Sequence, residues 1–315
     1  MLKPNFKIIV NDRDLTATIK TNLISISFDD KDGKESDEIS IVINGLYDAP
    51  SFGDKIVMYL GYEDDLYSVG EFRLQTVERN FKANTTEVRA TAADFSNDKL
   101  KVKRSKTWEN TTLFGIAKTI AKEQNLELKC CGDDANIASK MQDNISDIEF
   151  IYTLAYEFGF LAAVKNSTLI IAKKIDFGVS NAPKYEIDTK ELYSLEINEA
   201  YRNVYKSVVL QWQDISSGAM RSLRAGSGEP SYNMRISQPK SDGEAYAKAN
   251  AKLNELKKSG ISGRCSLAGA NIITGGSIAF KNTNSNDIEL KKFSITSVRH
   301  NLNSRGYSVE VEFER

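Results

Sequence analysis

The sequence predicts an α+β protein that is mainly β, with two similar β-barrel domains separated by an α/β module. Short apolar runs separated by turns fill both ends of the chain, a pattern typical of β-sandwiches and barrels. Two successive helix signals stand only in the middle. We place the first β-barrel at residues 1–97, the central module at 98–182 and the second β-barrel at 183–315.

The central module is predicted to open with a helix. Thr111 or Thr112 can cap it, after a turn at Trp108–Asn110. Its apolar residues recur at the i, i+3, i+4, i+7 spacing of one helix face. These residues are Leu113, Ile116, Ala117 and Ile120. A short loop is expected to follow.

The second helix has a stronger start signal. Ser146 and Glu149 stand at the spacing of a capping box. Gly159 ends the helix, because a left-handed closing residue favours the absence of a Cβ atom. Its buried stripe is predicted to be Phe150, Ile151, Leu154, Ala155 and Phe158. A β-hairpin follows, with strands at Phe160–Val164 and Leu169–Ala172.

About six short strands are predicted before the module. Alternation at period two in Leu23–Phe28 indicates a strand with one buried face. The polar loop after it runs from Asp29 to Asp37, and residues 94–106 form a charged connector. The predicted strands are Phe6–Val10, Leu23–Phe28, Ile39–Ile43, Ile56–Leu60, Phe72–Val77 and Thr86–Ala90.

The region after the module is predicted to contain strands and one inserted helix. Residues 176–184 form a linker into it, and residues 214–233 form a long polar loop. Ser241 and Glu244 make a second capping box, which predicts a helix at about 241–258 whose small residues suit packing on a sheet. The strands are Tyr193–Ile197, Tyr205–Trp212, Ser277–Phe280, Phe293–Val298 and Tyr307–Phe313.

A faint internal repeat relates the two β regions. Phe72–Glu78 and Phe293–Arg299 share apolar positions and strand phase. A glycine-led strand precedes each of them, beginning at Gly53 or Gly276, and an alternating strand follows each. We therefore expect the two regions to have the same strand topology.

Several of these signals occur in an order that resembles a known family. In the central module they are Trp108, Thr111, Thr112, Leu113, Phe150, Leu154, Ala155 and Gly159. In the first β region they are Pro50, Gly53, Asp54, Leu60, Gly61, Tyr62, Gly70 and Phe72. The pattern resembles the phage late control gene D family, the hub proteins of contractile tails, and the N-terminal hub part of type VI secretion spike proteins. The resemblance covers about Phe6 to Phe313.

This resemblance implies a structural baseplate hub of a phage or prophage contractile tail, with no catalytic activity. It implies two tail-tube-like barrels per chain and a homotrimer. Three such chains present six similar faces to a six-fold tail tube protein and three faces to a trimeric spike protein, next to other baseplate proteins. The implied location is the virion tail, after synthesis in the cytoplasm of the bacterial host.

Composition favours a soluble protein without a dominant charge. Lys and Arg number 42 against 43 Asp and Glu, so no global field recruits nucleic acid or an anionic membrane. No window approaches the ~20 apolar residues that cross a bilayer, and the N-terminus has no signal-peptide core. Three cysteines do not make a disulfide framework. We expect no specific nucleic-acid binding and no stable membrane insertion.

No catalytic, cofactor or metal site is predicted. His300 is the only histidine, so a His-based triad or zinc site lacks partners, and a structural role is expected. The thiols of Cys130, Cys131 and Cys265 are expected to be inert. The stretch Asp29–Gly33 fails the calcium-loop pattern, because Phe28 and Ile39 occupy its terminal ligand positions. A solvated loop is expected there.

Two further patterns have ordinary explanations. Gly226, Gly228 and Pro230 do not lead from a strand into a helix, so they are not a phosphate-binding loop. The basic run beside Trp108 lacks other aromatic residues and is expected to be a solvated connector. It consists of Lys99, Lys101, Lys103, Arg104 and Lys106. Two alternatives stay open: a peptidoglycan-degrading enzyme, because any two carboxylates can converge in space, and a saccharide-binding tail protein.

Overall fold

The protein is described from a computed structural model over residues 2–33, 35–48, 51–93, 102–175, 178–179, 183–200, 205–258, 260–283, 288 and 291–315. Pro50, most of the predicted connector (94–101) and most of the predicted linker (176–177 and 180–182) lie outside these residues. The described chain is α+β and mainly β, as the sequence predicts. None of its helices is both long enough and apolar enough to cross a lipid bilayer.

All six strands predicted before the module are present. The helix α1, Thr16–Asn22, is not predicted, because it has only seven residues, three of them threonines, and buries only Ile19. The strands are β1 Pro4–Val10, β2 Arg13–Asp14, β3 Leu23–Lys31, β4 Glu38–Asn44, β5 Lys55–Tyr62, β6 Asp65–Asn80 and β7 Thr85–Thr91.

The central module contains more strand than the sequence predicts. Its helices are α2 Leu113–Glu123 and α3 Asp147–Glu157. Its strands are β8 Lys103–Thr112, β9 Glu127–Cys131, β10 Asn136–Ser146, β11 Phe160–Lys165, β12 Thr168–Ile175 and β13 Gly178–Val179. The hairpin of β11 and β12 is confirmed.

Two predictions for this module are wrong. The turn at Trp108–Asn110 lies inside β8, which pairs with β10 as a two-stranded ribbon. Asn110 does take a left-handed φ of 48°, but the ribbon continues through it. The short loop between the helices instead contains β9 and β10. β9 has only five residues, although Leu128 and Cys130 alternate with exposed residues, and the largely polar β10 lacks the apolar alternation by which strands are recognised.

The caps of both central helices follow the sequence closely. Thr112 is the first cap, and its Oγ1 accepts from the backbone N–H of Gly115 at 3.0 Å. Ser146 Oγ accepts from the backbone N–H of Glu149 at 3.3 Å. Gly159 has a φ of 77°, the left-handed closure that favours glycine. The predicted apolar stripes are buried in one core with the hairpin.

In the region after the module, the described residues form nine strands and one long helix, α4, at Asp242–Lys258. The strands are β14 Lys184–Asp188, β15 Leu192–Glu199, β16 Ser207–Gln213, β17 Met220–Gly226, β18 Ser231–Arg235, β19 Ile261–Ala268, β20 Ser277–Lys281, β21 Phe293–Asn303 and β22 Gly306–Glu314. The long polar loop at 214–233 is therefore a wrong prediction, since it holds β17 and most of β18. Both are largely exposed, so apolar alternation does not reveal them.

The helix α4 lies on a small sheet formed by β16, β17 and β18. Its N-terminus is capped as predicted, because Ser241 Oγ accepts from the Glu244 N–H at 3.3 Å. Ala245 and Ala249 are fully buried against the sheet, beside Trp212. This core is separate from the other two.

The two β regions join in one continuous sheet. Its order is β15-β19-β22-β21-β3-β4-β7-β6-β5-β1-β2, with β20 and β14 attached beside β21. The link between the regions is an antiparallel pairing of β21 with β3, from Ser297 opposite Lys31 to Asn303 opposite Ser25. One apolar core runs under both regions.

Two five-stranded units repeat within this sheet. The first runs β5-β6-β7-β4-β3 and the second β20-β21-β22-β19-β15, and every pairing within both is antiparallel. The strands come in the same sequence order in each. The predicted strands Phe72–Val77 and Phe293–Val298 occupy equivalent places, in β6 and β21.

The register of the two units also matches at two β-bulges. In β6 the extra residue is Gln75, and in β21 it is the equivalent residue, Thr296. A second bulge adds Ile24 to β3 and Tyr193 to the equivalent strand, β15. Bulges bend a strand at a defined position. Because the two bulges lie at equivalent positions, the two units share strand geometry as well as the residue pattern of the predicted repeat.

Leu154 tests the packing of the central module. Its side chain is 1% exposed on α3, which packs on β11. We expect Leu154→Ala to lower the free energy of unfolding by ~2–5 kcal/mol, as for other large-to-small core changes. Chemical denaturation measures this. The exposed Leu2→Ala is the control; a loss below ~0.5 kcal/mol for Leu154→Ala would contradict the packing.

Candidate functional site

A cavity of about 120 Å³ brings titratable side chains from distant parts of the chain together. It lies between the large sheet and the hairpin of the central module. Asp30 and Asp37 line it from the first β region, Lys165 from the hairpin and His300 from β21. Tyr67 of β6 lines it as well. No pair of these residues was singled out as a site from the sequence.

His300 is held neutral in the core. It is 1% exposed and stacks on Phe28 with 5.4 Å between ring centroids. Its Nε2 lies 3.1 Å from the Ile272 carbonyl oxygen, which only accepts, so Nε2 carries the proton. Nδ1 then accepts from the Tyr307 hydroxyl at 2.8 Å. Burial lowers the pKa of His300 to about 4.

These bonds give His300 a structural role, as the sequence suggests. Its hydrogen-bond partners among the described residues are tyrosine hydroxyls and a backbone carbonyl, not a serine or cysteine nucleophile. Burial raises the pKa of Tyr67 to about 12, so this phenol stays protonated at neutral pH. A general base needs a pKa near the working pH, and His300 lies well below it.

Lys165 is the centre of a polar joint between the module and the sheet. Its Nζ donates to Asp30 Oδ1 and lies 3.2 Å from Asp37 Oδ2. Asp30 also accepts from the backbone N–H of Thr274 at 2.8 Å and from its hydroxyl at 2.6 Å. We call Asp30, Asp37, Lys165 and Thr274 the joint. It links the two β regions and the central hairpin.

The structure corrects the expectation of a solvated loop after Phe28. Asp29–Lys31 continue β3, and Asp30 is 2% exposed. A signal for this was available, because Ile26, Phe28 and Asp30 alternate on the buried face of the strand. Gly33 then has a φ of 107°, and a Cβ there would lie 2.6 Å from the Ala162 carbonyl oxygen.

The cysteines are not arranged as a metal site. Cys130 lies in β9 of the module, whereas Cys265 lies in β19 of the large sheet. Burial raises the pKa of Cys130 to about 11 and that of Cys265 to about 12, so both thiols stay protonated. Within the described ranges, no group of three or more His, Cys, Asp or Glu side chains converges to hold a metal ion.

The described part of the basic run is a strand rather than a solvated connector. Lys103, Arg104 and Lys106 lie in β8, while Lys99 and Lys101 lie outside the described residues. Arg104 donates to Asp147 at 2.6 Å and to Glu123 at 2.5 Å. Lys106 lies over the Trp108 ring, 3.7 Å from its centroid. These contacts occupy charges that a nucleic-acid surface would need.

The glycine-rich stretch connects two strands. Gly226 ends β17 with a φ of 79°, and Gly228 and Pro230 lead into β18. The Ser207 hydroxyl donates to the Gly228 carbonyl oxygen at 2.9 Å. No helix follows directly, so the stretch has no phosphate-binding geometry.

Among the strands of the two five-stranded units, two edges have no partner strand within the described ranges. One is the outer edge of β15, which ends the large sheet. The other is the second half of β6: beyond Leu74 it pairs only with β7. Apolar side chains stand beside both edges. Phe81, just after β6, is 77% exposed, and Tyr193 in β15 is 67% exposed. Unpaired edges with apolar neighbours are surfaces on which another strand can add.

His300→Gln tests the structural role of the histidine. We expect a loss of about 1–3 kcal/mol in the free energy of unfolding, because buried hydroxyls lose their partner. Wild-type His300 contributes stability above its unfolded pKa of ~6.5, and this is lost as the pH falls through about 4. The variant should lack that acid loss in thermal unfolding from pH 7 to pH 4. Abolition of a measured hydrolytic activity by this change would contradict a structural role.

Two relatives are similar to this chain in sequence. A probable baseplate hub protein of Escherichia phage P2 is 28% identical over 220 residues, which cover 67% of this chain and 57% of that protein. A probable baseplate hub protein of Escherichia phage 186 is 28% identical over 178 residues, 55% of this chain and 46% of that protein. The chain thus spans about half the length of these relatives. No protein-family model matches it.

Solved structures share its fold. A tail protein from Neisseria meningitidis has a TM-score of 0.74 at 11% identity, over 99% of this chain and 97% of that one. A 43 kDa prophage tail protein from Shewanella oneidensis has a TM-score of 0.72 at 10% identity, over 99% and 98%. An Escherichia coli component of the type VI secretion system has a TM-score of 0.56 at 11% identity, over 93% and 73%. The predicted resemblance to baseplate hub proteins is therefore confirmed: the chain is similar to them in sequence and to phage tail proteins in fold.

Proposed function

We propose that this chain is a non-catalytic structural component of a contractile-tail baseplate, the hub that joins the tail tube to the central spike. The observation that carries the proposal is the sequence similarity to two probable baseplate hub proteins. Its site of action is the baseplate of a virion or prophage-encoded tail, after synthesis in the bacterial cytoplasm. The neutral, hydrogen-bonded state of His300 supports the absence of catalysis.

The two five-stranded units correspond to two similar, tail-tube-like barrels in this proposal. One belongs to residues 1–97 and the other to 183–315, with the module at 98–182 on their flank. Their matched strand order and bulges support the correspondence. The insertion of β16–β18 and α4 lies between β15 and β19, where the first unit has only the link between β3 and β4.

The way in which the two units are joined supports a homotrimer. Within the chain, β21 of the second unit pairs with β3 of the first. The equivalent strands, β6 and β15, have the unpaired edges. We let β6 of one copy pair with β15 of the next copy in the register of the β21–β3 pairing. The contact between two copies then repeats the contact between the two units of one copy. Three copies then close a ring of six similar units, and closure prevents growth into a filament.

Phe81 supports this contact. Its equivalent in the second unit is Leu302, which is 6% exposed and stands opposite Ile26 across the β21–β3 pairing. Phe81 is 77% exposed in a single copy. The same register would place it opposite Leu195 of a neighbouring copy. Burying a large aromatic side chain contributes about 1.5–3 kcal/mol of free energy. A single copy lacks this contribution from Phe81.

The ring accounts for the proposed partners. Six similar units match a six-fold tail tube protein above, and the three-fold symmetry of the chains matches a trimeric spike protein below. Other baseplate proteins would contact the central modules at the periphery. Asp30 and Asp37 do bring two carboxylates together, but both are buried and paired with the Lys165 ammonium group. This arrangement favours a structural role for the pair over the lytic alternative.

An engineered disulfide tests the proposed ring contact. Arg299 and Asp29 stand opposite each other across the β21–β3 pairing, 2.5 Å apart at Nε and Oδ1. Their equivalents are Glu78 and Asn198, both exposed. We expect Glu78→Cys with Asn198→Cys to give a covalent trimer under mild oxidation, read on a non-reducing gel. Cys130→Ser and Cys131→Ser remove the half-exposed native thiols.

The matched control shifts the register by one residue. Arg79→Cys with Asn198→Cys places the two thiols on opposite faces of the paired strands, so it should cross-link poorly. Equal cross-linking of both cysteine pairs would contradict the proposed register. So would a gel that shows only monomers for the first pair at concentrations where light scattering gives a trimer.

The hub role itself is tested in the phage or prophage that encodes the chain. We expect deletion of its gene to abolish intact tails in negative-stain electron micrographs. The wild-type gene supplied in trans should restore them, whereas Phe81→Asp should not, because it places a charge at the proposed contact. Normal tails with complete baseplates in the deletion strain would overturn the proposal.

A further inference from the structure

The joint holds one cation between two carboxylates in a largely buried place. Asp30 is 2% exposed and Asp37 is 6% exposed, and both contact the single ammonium group of Lys165. With both carboxylates ionised, the joint carries one excess negative charge. Like charges that share a site disfavour each other's ionised form, and so does burial. A proton that binds to one of the two carboxylates would therefore neutralise the excess negative charge of the joint.

The hydrogen bonds identify which carboxylate this is. Ionised Asp30 accepts from Lys165 and twice from Thr274. Asp37 accepts from the Lys31 N–H at 3.0 Å and otherwise only from Lys165, at 3.2 Å. Three donors stabilise the charge of Asp30, and two stabilise that of Asp37. The ionised form of Asp37 thus has less hydrogen-bond support than that of Asp30.

We propose that Asp37 is a proton-binding switch: uptake of one proton there fastens the central hairpin to the sheet, and its loss loosens this attachment. The pKa of Asp37 is raised to about 6. Burial is the largest cause; the charge of Lys165 opposes it, and the charge of Asp30 adds to it. Burial alone lowers the pKa of Lys165, but the two carboxylates outweigh it and raise that pKa. Lys165 therefore stays charged while Asp37 titrates.

The surroundings of Asp37 allow this proton exchange. The cavity beside it gives water a place next to the carboxylate. Groups that face the joint from the packed elements do not titrate with it. Tyr152 on α3 and Tyr67 on β6 have pKa values raised by burial to about 12, and burial lowers that of His300 to about 4. The remaining charged group at the cavity is Glu71, which pairs with Lys55 at 2.9 Å.

The contacts of the hairpin explain why the joint matters for its attachment. The module and the large sheet have separate apolar cores, and the contacts between the hairpin and the sheet at this place are polar. Besides the joint, the Asn166 side chain accepts from the Glu71 N–H at 2.9 Å, and Ala162 approaches Gly33. A change of one charge in the joint therefore alters a large part of the polar contact between the hairpin and the sheet.

The direction of the pH effect follows from linkage. Asp37 binds its proton more tightly in the attached state than a solvated aspartate with pKa ~3.9 does. The additional stability is fully present below ~3.9 and is lost as the pH rises through about 6. Between pH 7.5 and pH 5.0, this difference changes the attachment equilibrium about tenfold in favour of the attached hairpin at pH 5.0.

Hydrogen exchange of the hairpin measures this equilibrium. We expect the protection factors of backbone amides in Phe160–Lys165, corrected for the pH dependence of intrinsic exchange, to rise about tenfold from pH 7.5 to pH 5.0. Asp37→Asn mimics the protonated carboxyl. It should show the high protection at both pH values, although it removes a salt bridge. Amides of β16 report whether the rest of the chain responds.

Two further variants make the outcome specific. Asp29→Asn removes the neighbouring carboxylate, which points to Arg299 outside the joint, and should keep the wild-type pH response. Lys165→Met leaves both buried carboxylates without their cation and should steepen the response. Wild-type protection that stays constant between pH 7.5 and pH 5.0 would overturn the switch. So would an unchanged pH response in Asp37→Asn.

Discussion

The pairing of β21 with β3 is the contact on which the architecture depends. It joins strands almost 270 residues apart in the chain, and Arg299 and Asp29 face each other across it. It makes one sheet and one apolar core from two β regions. In the proposed ring, the same pairing is the pattern for contacts between copies, because its two strands have counterparts whose edges are open. A single type of strand contact thus serves both inside the chain and, in the proposed ring, between chains.

Local signals predicted the three longer helices and most strands well. Thr112, Ser146, Ser241 and Gly159 act where the sequence places them, because caps depend on residues only three or four positions apart. The missed strands are short, exposed or polar, and tertiary pairing rather than apolar alternation defines them. β19 is an example: a Cβ at its Gly263 would lie 2.5 Å from the Phe313 ring, a need that only the folded neighbour reveals.

The joint could not be predicted in the same way. Asp30 could be placed on a buried face by the phase of its strand, but its cation lies 135 residues away. His300 shows the opposite case. Its isolation in the sequence already argued against catalysis, whereas its neutral state comes from burial, which only the fold reveals. Residue composition thus limited the kinds of catalytic site that the sequence could support. It did not locate the polar contacts, because these depend on how distant segments meet.

The placement of the β16–β18 and α4 subdomain has a consequence for how such chains diversify. It has its own apolar core and stands between β15 and β19. The corresponding crossing in the first unit is the short turn between β3 and β4, which the central hairpin covers. Only the second unit can therefore accept extra sequence at this crossing without disturbing the joint. This makes the position a tolerant graft point for evolution, and for display of foreign domains on an assembled particle.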